Sequence, residues 1–115
     1  MATGQMIARK EGALGWMIFD NPERHNAVSG DMWQVIPGML RAFDEDPEVR
    51  VIVLRGAGER AFVSGADISQ FERSRATKAN AEASAAIGSR GRKSIGECRK
   101  PTIAMIRGYC LGGGA

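Results

Sequence analysis

Two short apolar runs limit what this chain can become more than any other feature. Val49, Val51, Ile52, Val53 and Leu54 are compact and β-branched, the pattern of a strand covered on both faces in a parallel sheet. Thr102-Ile103-Ala104-Met105-Ile106 repeats it. Each run opens into glycine, Gly56 to Gly65 after the first and Gly108 to Gly114 after the second. A helical pattern lies between Asp31 and Phe43, where Met32, Ile36, Met39, Leu40 and Phe43 recur at spacings of three and four. With the apolar Trp16-Met17-Ile18-Phe19 ahead of it, this helix and the run at 49–54 give strand, helix and strand in that order, which predicts an α/β fold.

The flanking segments fit that frame. Met6-Ile7-Ala8 and Trp16-Met17-Ile18-Phe19 flank a glycine-bearing turn and read as a hairpin. Asp20-Asn21-Pro22 breaks the second strand, and a loop runs to about Ser29. Ser29 suits the N-cap of the helix, and Asp31 suits the positive end of its dipole. Pro37-Gly38 in the middle predicts a bend. Residues 69 to 99 are polar and alanine-rich, with helical propensity but no clear apolar face, which suggests partial mobility.

Size and composition exclude several classes. A chain of 115 residues buries one core, and 43% hydrophobic with 25% charged residues is the balance of a folded domain. No apolar run reaches membrane-spanning length and the N-terminus lacks a signal-like apolar core, so the expected location is cytoplasmic. Cys98 and Cys110 have no metal spacing and are read as reduced and buried. The net charge of +3 is too mild to mark a nucleic-acid partner by itself. Arg90, Arg92, Lys93, Arg99 and Lys100 could form a cationic strip, but no aromatic residue interleaves with them as single-strand binding favours, so nucleic acid is not the expected partner.

Two glycine-containing loops at strand ends carry the chemical interest. Gly56-Ala57-Gly58-Glu59-Arg60-Ala61 matches a dinucleotide-binding pattern, but Phe62-Val63-Ser64-Gly65 makes a poor helix start to receive a pyrophosphate. Phe62-Val63-Ser64-Gly65-Ala66-Asp67-Ile68 and Gly108-Tyr109-Cys110-Leu111-Gly112-Gly113-Gly114 instead follow buried strands, where ligands of open α/β sheets bind. Glycine lets the backbone come close, so two such loops can aim amide groups at one carbonyl oxygen.

With Asn21-Pro22-Glu23-Arg24-His25-Asn26-Ala27-Val28 and Lys100 to Gly114, the first of these loops forms an ordered set that resembles three successive motifs of the enoyl-CoA hydratase (crotonase) superfamily. The resemblance implies a crotonase-like ββα spiral, incomplete here, with residues 1–115 as the N-terminal part of a single domain. It implies an oxyanion hole made by the backbone N–H groups of Ala66 and Gly113, contacting the thioester oxygen of an acyl-CoA. Ala27 and Val28 would line the pantetheine path, Arg24 would approach a CoA phosphate, and the backbone around Ser64, Ala66 and Ile68 would face the adenine. Asp67 joins this CoA-binding group, although its carboxylate also suits a helix cap. No separate cofactor is expected, CoA being part of the substrate.

The glutamates that handle water in hydratases fall beyond Ala115 by the same resemblance, and Glu59, Glu72, Glu82 and Glu97 match neither. The chain is therefore expected to be part of a longer protein that forms a homotrimer or hexamer. Hydration of a 2-enoyl-CoA is the expected reaction; isomerase, hydrolase and decarboxylase relatives share the two loops, and a non-catalytic acyl-CoA- or RNA-binding protein is the alternative outside catalysis. His25, the only histidine, reads as a solvated or capping residue rather than a general base.

Overall fold

The computed structural model describes residues 4–65 and 78–111. Strands β1 (Gln5–Glu11) and β2 (Leu14–Asp20) form the hairpin expected from the sequence, turning through Gly12-Ala13. Helix α1 spans Gly30–Glu45, followed by β3 (Val51–Gly56), β4 (Ala61–Val63), helix α2 (Lys78–Glu97), β5 (Thr102–Met105) and β6 (Tyr109–Cys110). The main sheet has the order β1-β2-β3-β5, antiparallel in the hairpin and parallel from β2 onward. A second, two-stranded parallel sheet pairs β4 with β6.

The pleat divides the main sheet chemically. Met17 and Phe19 share a face with their β3 neighbours Leu54 and Ile52, and Met6 joins them from β1. That face meets Met32, Ile36, Leu40 and Phe43 of α1 in one apolar core. Ser29 caps α1 as expected: its Oγ accepts the Met32 N–H at 3.3 Å. The helix runs without interruption through Pro37. An interior proline costs roughly 3 kcal/mol, while burying each of those four side chains contributes about 1.5–3 kcal/mol. Packing therefore outweighs the lost hydrogen bond.

Helix α2 lies across α1. Among its positions whose burial is described, Gly88 and Gly91 are buried and Ser94 and Ile95 half-buried, with Cys98 half-buried just past its end. The inward stripe is mostly glycine, so hydropathy alone does not mark it. A side chain at Gly91 would stand 2.5 Å from the Trp33 ring, and Arg92 lies over that ring at 5.1 Å. Small residues thus let the two helices approach closely. Residues 78–97 are helical, as the propensity of this stretch predicts; 69–77 lie outside the described residues.

Two expectations need correction. The run at 102–106 is a strand, but it is not buried: Thr102, Ile103 and Ala104 are exposed, Ile103 at 53%. Strand β5 bonds β3 on one side, and no other described strand pairs with its outer edge. The segment from Gly56 to Gly65 is not all loop either. Ala61, Phe62 and Val63 are buried in β4, with Phe62 edge-on to Phe19 at 5.7 Å. Three residues are too few for a sequence pattern to register, and their cover comes from elsewhere in the chain. Cys98 and Cys110 are free thiols, only partly buried.

Candidate functional site

The loop between β2 and α1 is built around two asparagines. Pro22–Arg24 makes a single 3-10 turn, with the proline where no amide donor is required. His25 and Asn26 then both take left-handed conformations, φ 52° and 58°. Such backbone is unfavourable for residues with a β-carbon unless the surroundings hold it, and here they do. The Asn21 carbonyl accepts the N–H groups of Arg24 and Asn26 at 3.0 and 2.8 Å. The Asn21 N–H donates to Asn26 Oδ1 at 2.9 Å, and Asn21 Nδ2 donates to the Ala27 carbonyl at 2.8 Å. Asn26 Nδ2 reaches across to the carbonyls of Ala57 and Ala61 at 3.0 and 2.8 Å. Asn26 is 1% exposed. It ties the loop to both ends of the β3–β4 turn.

Neither asparagine stands out by apolar spacing or by charge. The available signal was two asparagines flanking a proline-initiated turn, since their side chains substitute for backbone partners in tight turns.

This loop closes onto β4. Ser64 Oγ donates to the Arg24 carbonyl at 3.0 Å, and the Val28 N–H donates to the Gly65 carbonyl at 2.8 Å. Gly65 has φ 113°, backbone that glycine adopts and side-chain-bearing residues rarely do. Next to β4 runs β6, held by Tyr109 N–H to Arg60 carbonyl at 3.2 Å and Leu111 N–H to Val63 carbonyl at 3.0 Å. Gly108 makes the approach possible. Its φ is 70°, and a β-carbon there would lie 1.9 Å from the Arg60 carbonyl oxygen. Across the top, the rings of His25 and Tyr109 meet edge to face, centroids 5.3 Å apart.

The geometry therefore brings together three segments distant in sequence: residues 21–28, the end of β4, and β6. Because β4 and β6 are parallel, the chain leaves both at the same end of the small sheet. Arg24 and Ser64 are joined directly. Arg24 has an exposed side chain, whereas Ala27 and Val28 are buried, with Val28 in the core. Ala66, Asp67, Ile68 and Gly113 lie outside the described residues, the first directly after Gly65 and the last two positions after Leu111.

Rival sites find less support. After Gly58 the chain enters β4 rather than a helix, so the glycine pattern at 56–61 lacks the helix N-terminus that receives a pyrophosphate. The suspected cationic strip is largely engaged locally. Arg92 sits on Trp33, Lys93 pairs with Glu97, Arg99 pairs with Asp44, and Lys100 Nζ donates to the carbonyls of Phe43 and Asp46. Among the described residues, no three His, Cys, Asp or Glu side chains converge as a metal site would require. No described helix is long and apolar enough to cross a membrane.

Comparison with known proteins identifies the class. The profile of the enoyl-CoA hydratase/isomerase family matches residues 9–115, and the chain belongs to that family. It is 32% identical over 114 residues to a crotonyl-CoA hydratase of Syntrophomonas wolfei, covering 99% of this chain and 43% of that protein. It is 31% identical to the human mitochondrial 3-hydroxyisobutyryl-CoA hydrolase, covering 98% of this chain and 30% of the relative. Identity to the peroxisomal Δ(3,5)-Δ(2,4)-dienoyl-CoA isomerase of Arabidopsis thaliana is 36%, over 94% and 43% of the two chains.

Among solved structures, a Hyphomonas neptunium protein of the enoyl-CoA hydratase/isomerase family superposes with a TM-score of 0.91 at 38% identity, covering 95% of this chain and 42% of that one. The fold is thus the crotonase-type α/β spiral in incomplete form. The chain spans less than half the length of these relatives.

Proposed function

We propose that this chain supplies the acyl-CoA-binding and oxyanion-stabilising part of an enzyme that forms a thioester enolate, and that the reaction is addition of water to a 2-enoyl-CoA. The observation that carries the reading is the convergence of loop 21–28, Ser64-Gly65 and β6 at one end of the β4–β6 sheet. The N–H groups of Ala66 and Gly113 then donate to the thioester oxygen, where negative charge develops as the α-carbon becomes enolate-like. Amides fixed by the backbone need no reorganisation as that charge appears, which is why such donors are effective. Arg24 is free to approach a CoA phosphate from solvent, the backbone of Ala27 and Val28 follows the pantetheine arm, and the segment from Ser64 through Asp67 to Ile68 faces the adenine.

Proton transfer belongs to acid and base groups that lie outside residues 1–115 in this reading. Coenzyme A enters as part of the substrate, with no further cofactor, in a cytoplasmic homotrimer or hexamer. Hydrolase and isomerase reactions remain the alternatives within the family, since relatives of both kinds share this half of the fold.

The test is hydration of crotonyl-CoA by the polypeptide at its full natural length, before and after Gly113→Val. Loss of one oxyanion donor costs about 10²-fold or more in turnover, and that is the expected outcome. A folded Gly113→Val protein with unchanged turnover would refute the oxyanion role. Activity on a different CoA thioester in place of crotonyl-CoA would move the reaction type while leaving the binding reading intact.

A further inference from the structure

The hydrogen bonds that fasten loop 21–28 run to β4 and to the β3–β4 turn. Its contact with β6 is of another kind, the edge-to-face meeting of His25 and Tyr109. Both rings stand on fixed backbone. His25 closes the 3-10 turn in a left-handed conformation, its N–H bonded to the Pro22 carbonyl at 3.2 Å. Tyr109 is bonded through its N–H to Arg60 and follows Gly108, which no other residue can replace without overlap. Yet both side chains are exposed, Tyr109 at 55%. A ring left that open adds little to the core, so core packing does not account for the pair. The contact spans the two segments whose relative position fixes where a CoA arm would lie against the strand leading to Gly113.

We propose that His25 and Tyr109 are a positioning pair, setting the separation between the Arg24–Val28 segment and strand β6 through their ring contact. Neither is assigned proton transfer. The catalytic consequence rests on the acyl-CoA reading above, whereas the structural coupling does not.

The experiment uses the polypeptide at full natural length with His25→Ala, Tyr109→Ala, the double variant, His25→Phe and Tyr109→Phe. In the ligand-free protein, each alanine variant shifts the Leu111 amide resonance, the double variant shifts it no further, and the phenylalanine variants, which keep a ring, restore it. With crotonyl-CoA, kcat falls about two- to tenfold in the alanine variants, the scale of one aromatic pair. KM and Tm change little, and phenylalanine rescues kcat. An unmoved Leu111 amide, additive effects of the two alanines, or unaffected kcat in an active protein would overturn the pair. Coupled amide shifts in a protein that neither binds nor turns over any CoA thioester would leave the pair standing and sink the acyl-CoA reading instead.

Discussion

At the residue scale, Asn26 contributes more to this site than its place in a loop suggests. Its side chain accepts one and donates two hydrogen bonds while almost wholly buried. Removing it leaves the Asn21 amide and two carbonyls without these partners in a place water reaches poorly. Each such loss costs about 1 kcal/mol or more. Asn26→Ala should therefore lower stability by roughly 3 kcal/mol in chemical denaturation; a change under about 0.5 kcal/mol, the range of ordinary surface substitutions, would contradict this account of the loop. Gly108→Ala is the matching backbone test. A left-handed φ and an overlap with Arg60 should lower the Tm of the polypeptide at its full natural length by several degrees, on the scale of about 2–4 °C per kcal/mol for a larger domain, and an unchanged melt would show that β6 can move aside. The motif around these residues was legible in the sequence, but the work of Asn26 was not, because its partners Ala57 and Ala61 lie more than thirty positions away.

At the element scale, legibility followed periodicity. Helix α1 and the hairpin announced themselves by regular apolar spacing and matching cap and turn residues. The inward face of α2 did not, since Gly88 and Gly91 carry no hydropathy signal even though close approach to Trp33 depends on them. Strand β5 is legible as a strand but its exposure is not, because composition reports what a segment tolerates, not which neighbours cover it. The end of α1 is fastened to β1 by charge: Lys10 Nζ lies 3.0 Å from both Asp46 and Glu48. The Glu48 N–H, and after it Lys10, hold the Asp46 carboxyl below its ordinary value of 3.8. Asp46 in turn, with Glu48, raises Lys10 above its ordinary value of 10.5. A carboxylate whose pKa falls on folding contributes stability that is present above its unfolded pKa and is lost as pH drops through the lower folded value. The stability difference between the natural chain and Asp46→Asn should thus be constant near neutrality and shrink below about pH 4. A difference that stayed constant down to strong acid would show that the charge of Asp46 does not matter.

At the scale of the whole molecule, the exposed apolar side chains are concentrated near one end of the sequence. Among the described residues, Ile103, Ile106, Tyr109 and Leu111 are each more than half exposed, and Ile103 stands on β5, whose outer edge pairs with no other described strand. Unpaired strand edges with apolar side chains promote association. Residues 1–115 prepared alone should therefore self-associate in light scattering and, on the proposed reading that places the acid and base groups outside them, show no crotonyl-CoA hydration. A cooperatively melting monomer would overturn the first expectation, and turnover above background the second. The central claim is that the three converging segments form a site for an acyl-CoA rather than a dinucleotide. Titration calorimetry of the polypeptide at its full natural length, with acetyl-CoA and NAD as ligands, tests it most directly. The account predicts saturable heat with acetyl-CoA and none with NAD; binding of NAD without a response to acetyl-CoA would contradict it.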